Sequence, residues 1–85
     1  MIEFEERKSL AGTLQPGDGT RYEMVAVKEW DNISIIVMNE DFFDKIIFPY
    51  DDRDEPYYTF RGEKTNPWTI RAALNMRNRL LEALK

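Results

Sequence analysis

The chain has 85 residues and a formal net charge of −4, from twelve basic and sixteen acidic side chains. One modest core is all this length can build, because so short a chain buries only somewhat more than about 60% of the surface it exposes when unfolded. There is no cysteine and no histidine, which excludes disulfides, thiolate zinc sites, cysteine nucleophiles and any relay built on imidazole.

The N-terminus, Met1-Ile2-Glu3-Phe4-Glu5-Glu6, is too acidic for a signal peptide, and no apolar run approaches the ~18 residues of a membrane span. The expectation is a single cytoplasmic α+β domain over residues 1–85. In chain order, residues 2–7 read as a first short strand around Ile2 and Phe4. Gln15-Pro16-Gly17-Asp18-Gly19 is a breaker: proline suits the first central position of a turn, and glycine can take positive φ. Residues 21–30 and 33–39 are the strongest strands, rich in β-branched and aromatic side chains.

Asp31-Asn32 between them reads as a two-residue hairpin loop, since both residues tolerate positive φ. That loop pairs Trp30 with Ile33, Lys28 with Ile35, Ala26 with Val37 and Met24 with Asn39. The other face then carries Val25, Val27, Ile36 and Met38. Apolar side chains on both faces call for two covering layers, and a single helix supplies one.

Residues 39–44 read as a connection or one helical turn, and residues 45–50 as a further strand with Pro49 at an edge or end. A charged turn follows, then a short strand over 57–61. A helix is predicted over 67–84, with Asn66 as N-cap and Pro67 at the first helical position. The predicted architecture is an antiparallel meander of about four to five strands with this C-terminal helix packed on it.

On a helical wheel with Ile70 at 0°, the apolar arc spans about 200°, and Arg77 falls near 340°, inside it. A buried unpaired charge is costly. The side chain therefore either runs along the core and snorkels, pairs with a sheet carboxylate such as Glu23 or Glu29, or binds an anion or partner. The width of the arc, with the two-sided strands, favours a homodimer or a stable complex.

Charge divides the chain. Residues 1–60 carry fourteen carboxylates and six cations, whereas residues 61–85 carry six cations and two carboxylates. The acid is densest in Glu40-Asp41 with Asp44, and in Asp51-Asp52-Arg53-Asp54-Glu55. It is either a solvated surface facing a basic helix or a binding face for a basic partner.

No catalytic constellation emerges. The run at 51–55 lacks the glycine of a calcium loop. Gly17-Asp18-Gly19-Thr20 lacks the lysine and spacing of a phosphate loop, and Ser9 and Ser34 have no visible base. The acid-then-Glu-x-Lys spacing of a nuclease is missing, and the core is too small to wall a sugar cleft. The chain reads as a non-enzyme with no cofactor and no metal site.

Nine aromatic side chains lie within residues 30–68, from Trp30 to Trp68. They serve as core, as interface anchors or as stacking platforms for single-stranded nucleic acid. The acidic turn before Tyr57 and Tyr58 would repel phosphates, which favours a protein partner.

The leading expectation is a protein-binding module that meets a basic surface through Asp51, Asp52, Asp54, Glu55, Tyr57, Tyr58, Glu40 and Asp41. One alternative is a dimeric single-stranded nucleic-acid binder using Trp68 and the anion-binding candidates Arg61, Lys64, Arg71 and Arg77. Another is a structural or assembly subunit. In composition, over the whole chain, the protein resembles small phage- or mobile-element-encoded inhibitors, such as anti-CRISPR and other anti-defence proteins, and toxin-neutralising immunity proteins. That resemblance implies a viral inhibitor acting in the host cytoplasm, with clustered carboxylates imitating a phosphate backbone.

Overall fold

A computed structural model describes residues 9–15, 17, 19–50 and 54–84. Five strands, β1 (Ser9–Leu14), β2 (Tyr22–Glu29), β3 (Asn32–Met38), β4 (Phe43–Pro49) and β5 (Tyr58–Thr59), form one antiparallel sheet in the order β1-β2-β3-β4-β5. A single helix, α1 (Pro67–Leu84), packs on one face of it, chiefly over β3, completing the α+β meander.

The predicted strand over 2–7 lies outside the described residues. The sheet begins instead at β1, whose sequence SLAGTL has weak strand propensity. Gly12 has a packing role there: a Cβ at this position would stand 3.2 Å from Met76 Cε, so its absence lets α1 settle onto the edge strand. Gly17 and Gly19 take φ of 96° and 87°, as the breaker segment requires.

The β2–β3 hairpin turns at Trp30-Asp31, one residue earlier than expected. Glu29 pairs with Asn32, Lys28 with Ile33, Ala26 with Ile35 and Met24 with Val37. Each residue of β2 is thus displaced by two positions from its predicted partner. A displacement of two preserves the side-chain period, so both faces are as predicted although every pair differs. Trp30 itself bears the turn with φ 53°.

Phe43 and Asp44 belong to β4 and not to the connection, because Phe43 can pair with Met38 across a tight loop. The Asn39 amide closes that loop on the Phe42 carbonyl at 2.9 Å, and the Asn39 side chain accepts the Asp41 amide at 2.8 Å. β5 is only two residues long. Gly62, at φ 59°, then turns the chain into a single 3-10 turn over Gly62–Lys64. The helix starts where predicted, with the Asn66 carbonyl accepting the amides of Thr69 and Ile70.

The core lies between α1 and one face of the sheet. Ile33, Ile35, Ile46, Phe48, Val37 and Leu80 are fully enclosed. The buried stripe of α1 is Thr69, Ala73, Met76, Arg77 and Leu80. Its centre is near Leu80, with Ile70 and Leu81 on the flank.

A tryptophan held at positive φ is strained, whereas asparagine enters that region more readily. Because Trp30 is 93% exposed, replacing it forfeits no packing. Trp30→Asn is expected to stabilise the fold by about 0.5–1 kcal/mol, read as a thermal midpoint higher by a few degrees. A lower midpoint would contradict the turn geometry.

Candidate functional site

The hairpin tip and the end of β4 are joined: the Tyr50 amide donates to the Asp31 carbonyl at 2.6 Å. Around this junction three large aromatic side chains face solvent. Trp30 is almost entirely free, and Tyr50 and Tyr57 are exposed by about half. Lys28 Nζ sits 4.7 Å from the Tyr50 ring centroid, a cation–π contact that restrains the ring. The exposed carboxylates Asp31, Asp54 and Glu55 belong to the same end of the sheet.

Arg77 anchors that end to the helix. Its side chain is 3% exposed and lies over the Phe48 ring at 5.3 Å. Its Nη2 donates to Asp54 Oδ1 at 2.9 Å, and Nε and Nη2 both donate to Asn78 Oδ1. The arginine is therefore neither a snorkelling surface charge nor paired with Glu23 or Glu29. Those two glutamates belong to the opposite face of the sheet, alternating with the inward-facing Met24 and Lys28. Asp54 reaches it from the β4–β5 connection instead.

The predicted partner-binding residues divide accordingly. Asp54, Glu55 and Tyr57 lie on the β4–β5 connection, at the end of β4 that adjoins the hairpin tip, and Tyr58 is exposed on the outward side of β5, paired with Ile47. Asp51 and Asp52 lie outside the described residues. Glu40 and Asp41 stand at the other end of β4, about 20 Å away along a seven-residue strand. There they line an open groove of about 560 Å³ with Arg21, Glu23, Met38 and Asn39. The six that are described do not form one patch.

Asp44 is not a surface carboxylate at all. It is fully buried, and its Oδ1 accepts the amides of Lys45 at 2.9 Å and Arg61 at 3.2 Å. Among the described residues, its Oδ2 and the hydroxyls of Thr65 and Thr69 have no hydrogen-bond partner. The alternation Asp44, Ile46, Phe48 was the available sign that Asp44 faces inward.

The nucleic-acid candidates are also dispersed. Arg61, Lys64 and Arg71 are exposed, but the Arg61 guanidinium lies over Phe42 at 4.8 Å. Trp68 packs on Tyr22 and Phe42, with ring centroids 5.3 and 6.4 Å away. That aromatic cluster closes the N-terminal end of the core and is not an open stacking platform. Arg77 is committed to Asp54. Among the described residues, no three carboxylates converge as a metal site, and no helix is long and apolar enough to cross a membrane.

No protein-family model, curated protein or solved structure matches this chain.

The tip residue missed by sequence reasoning is Trp30. Its signal was a tryptophan directly before Asp-Asn, but turn propensity assigned the loop to those two residues.

Breaking an ion pair costs most when the surviving charge is the buried one. Asp54→Ala removes a carboxylate acceptor from the enclosed Arg77 cation, whereas Arg77→Met leaves Asp54 as a solvated carboxylate and still fills the slot over Phe48. In urea unfolding, Asp54→Ala is expected to lose about 1–2 kcal/mol, and Arg77→Met to stay within about 0.5 kcal/mol of the parent. The reverse order would refute a buried pair at this position.

Proposed function

We propose that the protein is a non-catalytic protein-binding module of the inhibitor kind, acting in the cytoplasm, and that the Trp30 end of the sheet engages a basic partner. The observation that carries this reading is the placement of Trp30. A large aromatic side chain projects 93% free from a hairpin tip, on a backbone conformation that disfavours it. Strain of that sort persists where the residue has a use. Tryptophan and tyrosine dominate the energetics of protein interfaces, because they bury much area while ordering few torsions.

The setting supports the same reading. Tyr50 and Tyr57 extend the apolar contact, while Asp31 and Glu55 rim it with negative charge. Asp54 contributes less to that field, since Arg77 neutralises it. Such an end suits a concave partner surface with an apolar pocket and a cationic rim. The carboxylates would raise the association rate and reject acidic competitors, nucleic acid included. The lack of cysteine is compatible with a reducing compartment.

The test is affinity capture from lysate with the intact chain, run in parallel with Trp30→Asn and the double variant Asp31→Asn/Glu55→Gln. A basic protein retained by the parent should be lost with Trp30→Asn. Its association should slow in the carboxylate variant and at higher salt. Equal capture by parent and Trp30→Asn would refute the tip as the site. Binding of a thymidine oligomer that fails when Arg61, Lys64 and Arg71 are neutralised would favour the nucleic-acid alternative instead.

A further inference from the structure

The face of the sheet turned away from α1 carries apolar side chains around Ser34: Val25 pairs with Ile36, and Val27 and Ile47 flank Ser34 from the strands on either side. At one end of it Met38 and Phe43 are each about two-fifths exposed, and Phe60 packs edge-on against Phe43 at 5.2 Å. Among the described residues no element covers it. We propose that this face is covered by a second copy of the same chain, sheet against sheet, about a two-fold axis parallel to β3.

Size is the first argument. Five strands spaced about 4.8 Å, averaging about six residues at about 3.3 Å each, give a footprint of about 500 Å² per copy. The pair therefore reaches about 1,000 Å², the lower bound of a specific interface.

Shape is the second. Rotation about an axis parallel to β3 lays β1 of one copy over β5 of the other, at the same level along the strands. The outward side chains of β1 are the small Ser9, Ala11 and Thr13. The outward side chains at the opposite edge are bulky, with Tyr58 and Phe60 each about half exposed. Large therefore meets small along both edges, which is what interdigitating layers need.

Charge is the third. The outward charges are Glu23 and Glu29 on β2 and Lys45 on β4, while β3 carries none. The same rotation sets β4 of one copy over β2 of the other. Lys45 shares a row with Ile36 and Val25, one same-face step from Glu23. Each Lys45 thus lies within reach of Glu23 in the other copy, twice per dimer, as an isologous contact demands.

The experiment is sedimentation equilibrium of the full chain, with far-UV circular dichroism as the check on folding. The parent should sediment at twice 10.1 kDa, and Ile36→Glu should be monomeric with an unchanged spectrum. Should Ile36→Glu fail to fold, the charge pair decides: Lys45→Glu and Glu23→Lys should each weaken the dimer by about tenfold, and the two together should restore it. Trp30→Asn should dimerise like the parent, which separates this interface from the tip. A monomeric parent at tens of micromolar, a dimer undiminished by Ile36→Glu, or no rescue in the combined variant would overturn the proposal.

Discussion

An α-helix with its side chains is a cylinder about 10–12 Å across, whereas a five-stranded sheet is about 20–24 Å wide and has two faces. Among the described residues there is one helix for such a sheet. The mismatch governs the rest of the structure. It concentrates the core under α1, where Ile33, Ile35 and Ile46 are fully enclosed. It leaves Leu10 and Leu14 at the β1 edge only partly covered, and among the described residues no element layers the second face. In a domain this small the hydrophobic term is limited, so the polar ties at the margins of the core carry unusual weight.

Two such ties stand at opposite ends of the sheet. At one end Asp44 turns inward from β4 and accepts main-chain amides from Lys45 and Arg61, so the chain leaving β5 is held by a side chain as well as by the Phe60 amide on the Lys45 carbonyl. At the other end Arg77 reaches from α1 over Phe48 to Asp54 and secures the β4–β5 connection. Both groups belong to the same mechanical problem. β5 has only two residues in the ladder, too few to fix the long connections before and after it. A carboxyl and a guanidinium, each inside the fold, supply the missing restraint.

The same connection carries Glu55 and Tyr57 at the end of β4 that adjoins the hairpin tip, so Arg77 would link stability to the recognition proposed for that tip. The strained turn carries a cost in the fold and an exposed anchor in solvent, a trade often found at binding sites. A second copy on the open face would bring two such tips to the same end of the assembly and convert weak single contacts into avidity.

What the amino-acid sequence determined by itself was whatever depends on local period and chain stiffness. Alternation over 21–30 and 33–39 assigned the two strong strands, which form over Tyr22–Glu29 and Asn32–Met38, and sorted their faces. Asn66-Pro67 set the start of α1, and the apolar stripe showed Arg77 to be inside it. Register was not legible, because a shift of two residues leaves every side chain on its own face, and only the turn at Trp30 distinguishes the alternatives. Nor was the fate of single charges, which depends on partners distant in the chain: Asp54 stands 23 positions from Arg77, and Asp44 stands 17 from Arg61. Only the tertiary structure decided that one of these carboxyl groups faces solvent while the other is a strut. It also separated Glu40 and Asp41 from the tip by the length of a strand, since successive turns of an antiparallel meander lie at opposite ends of its strands.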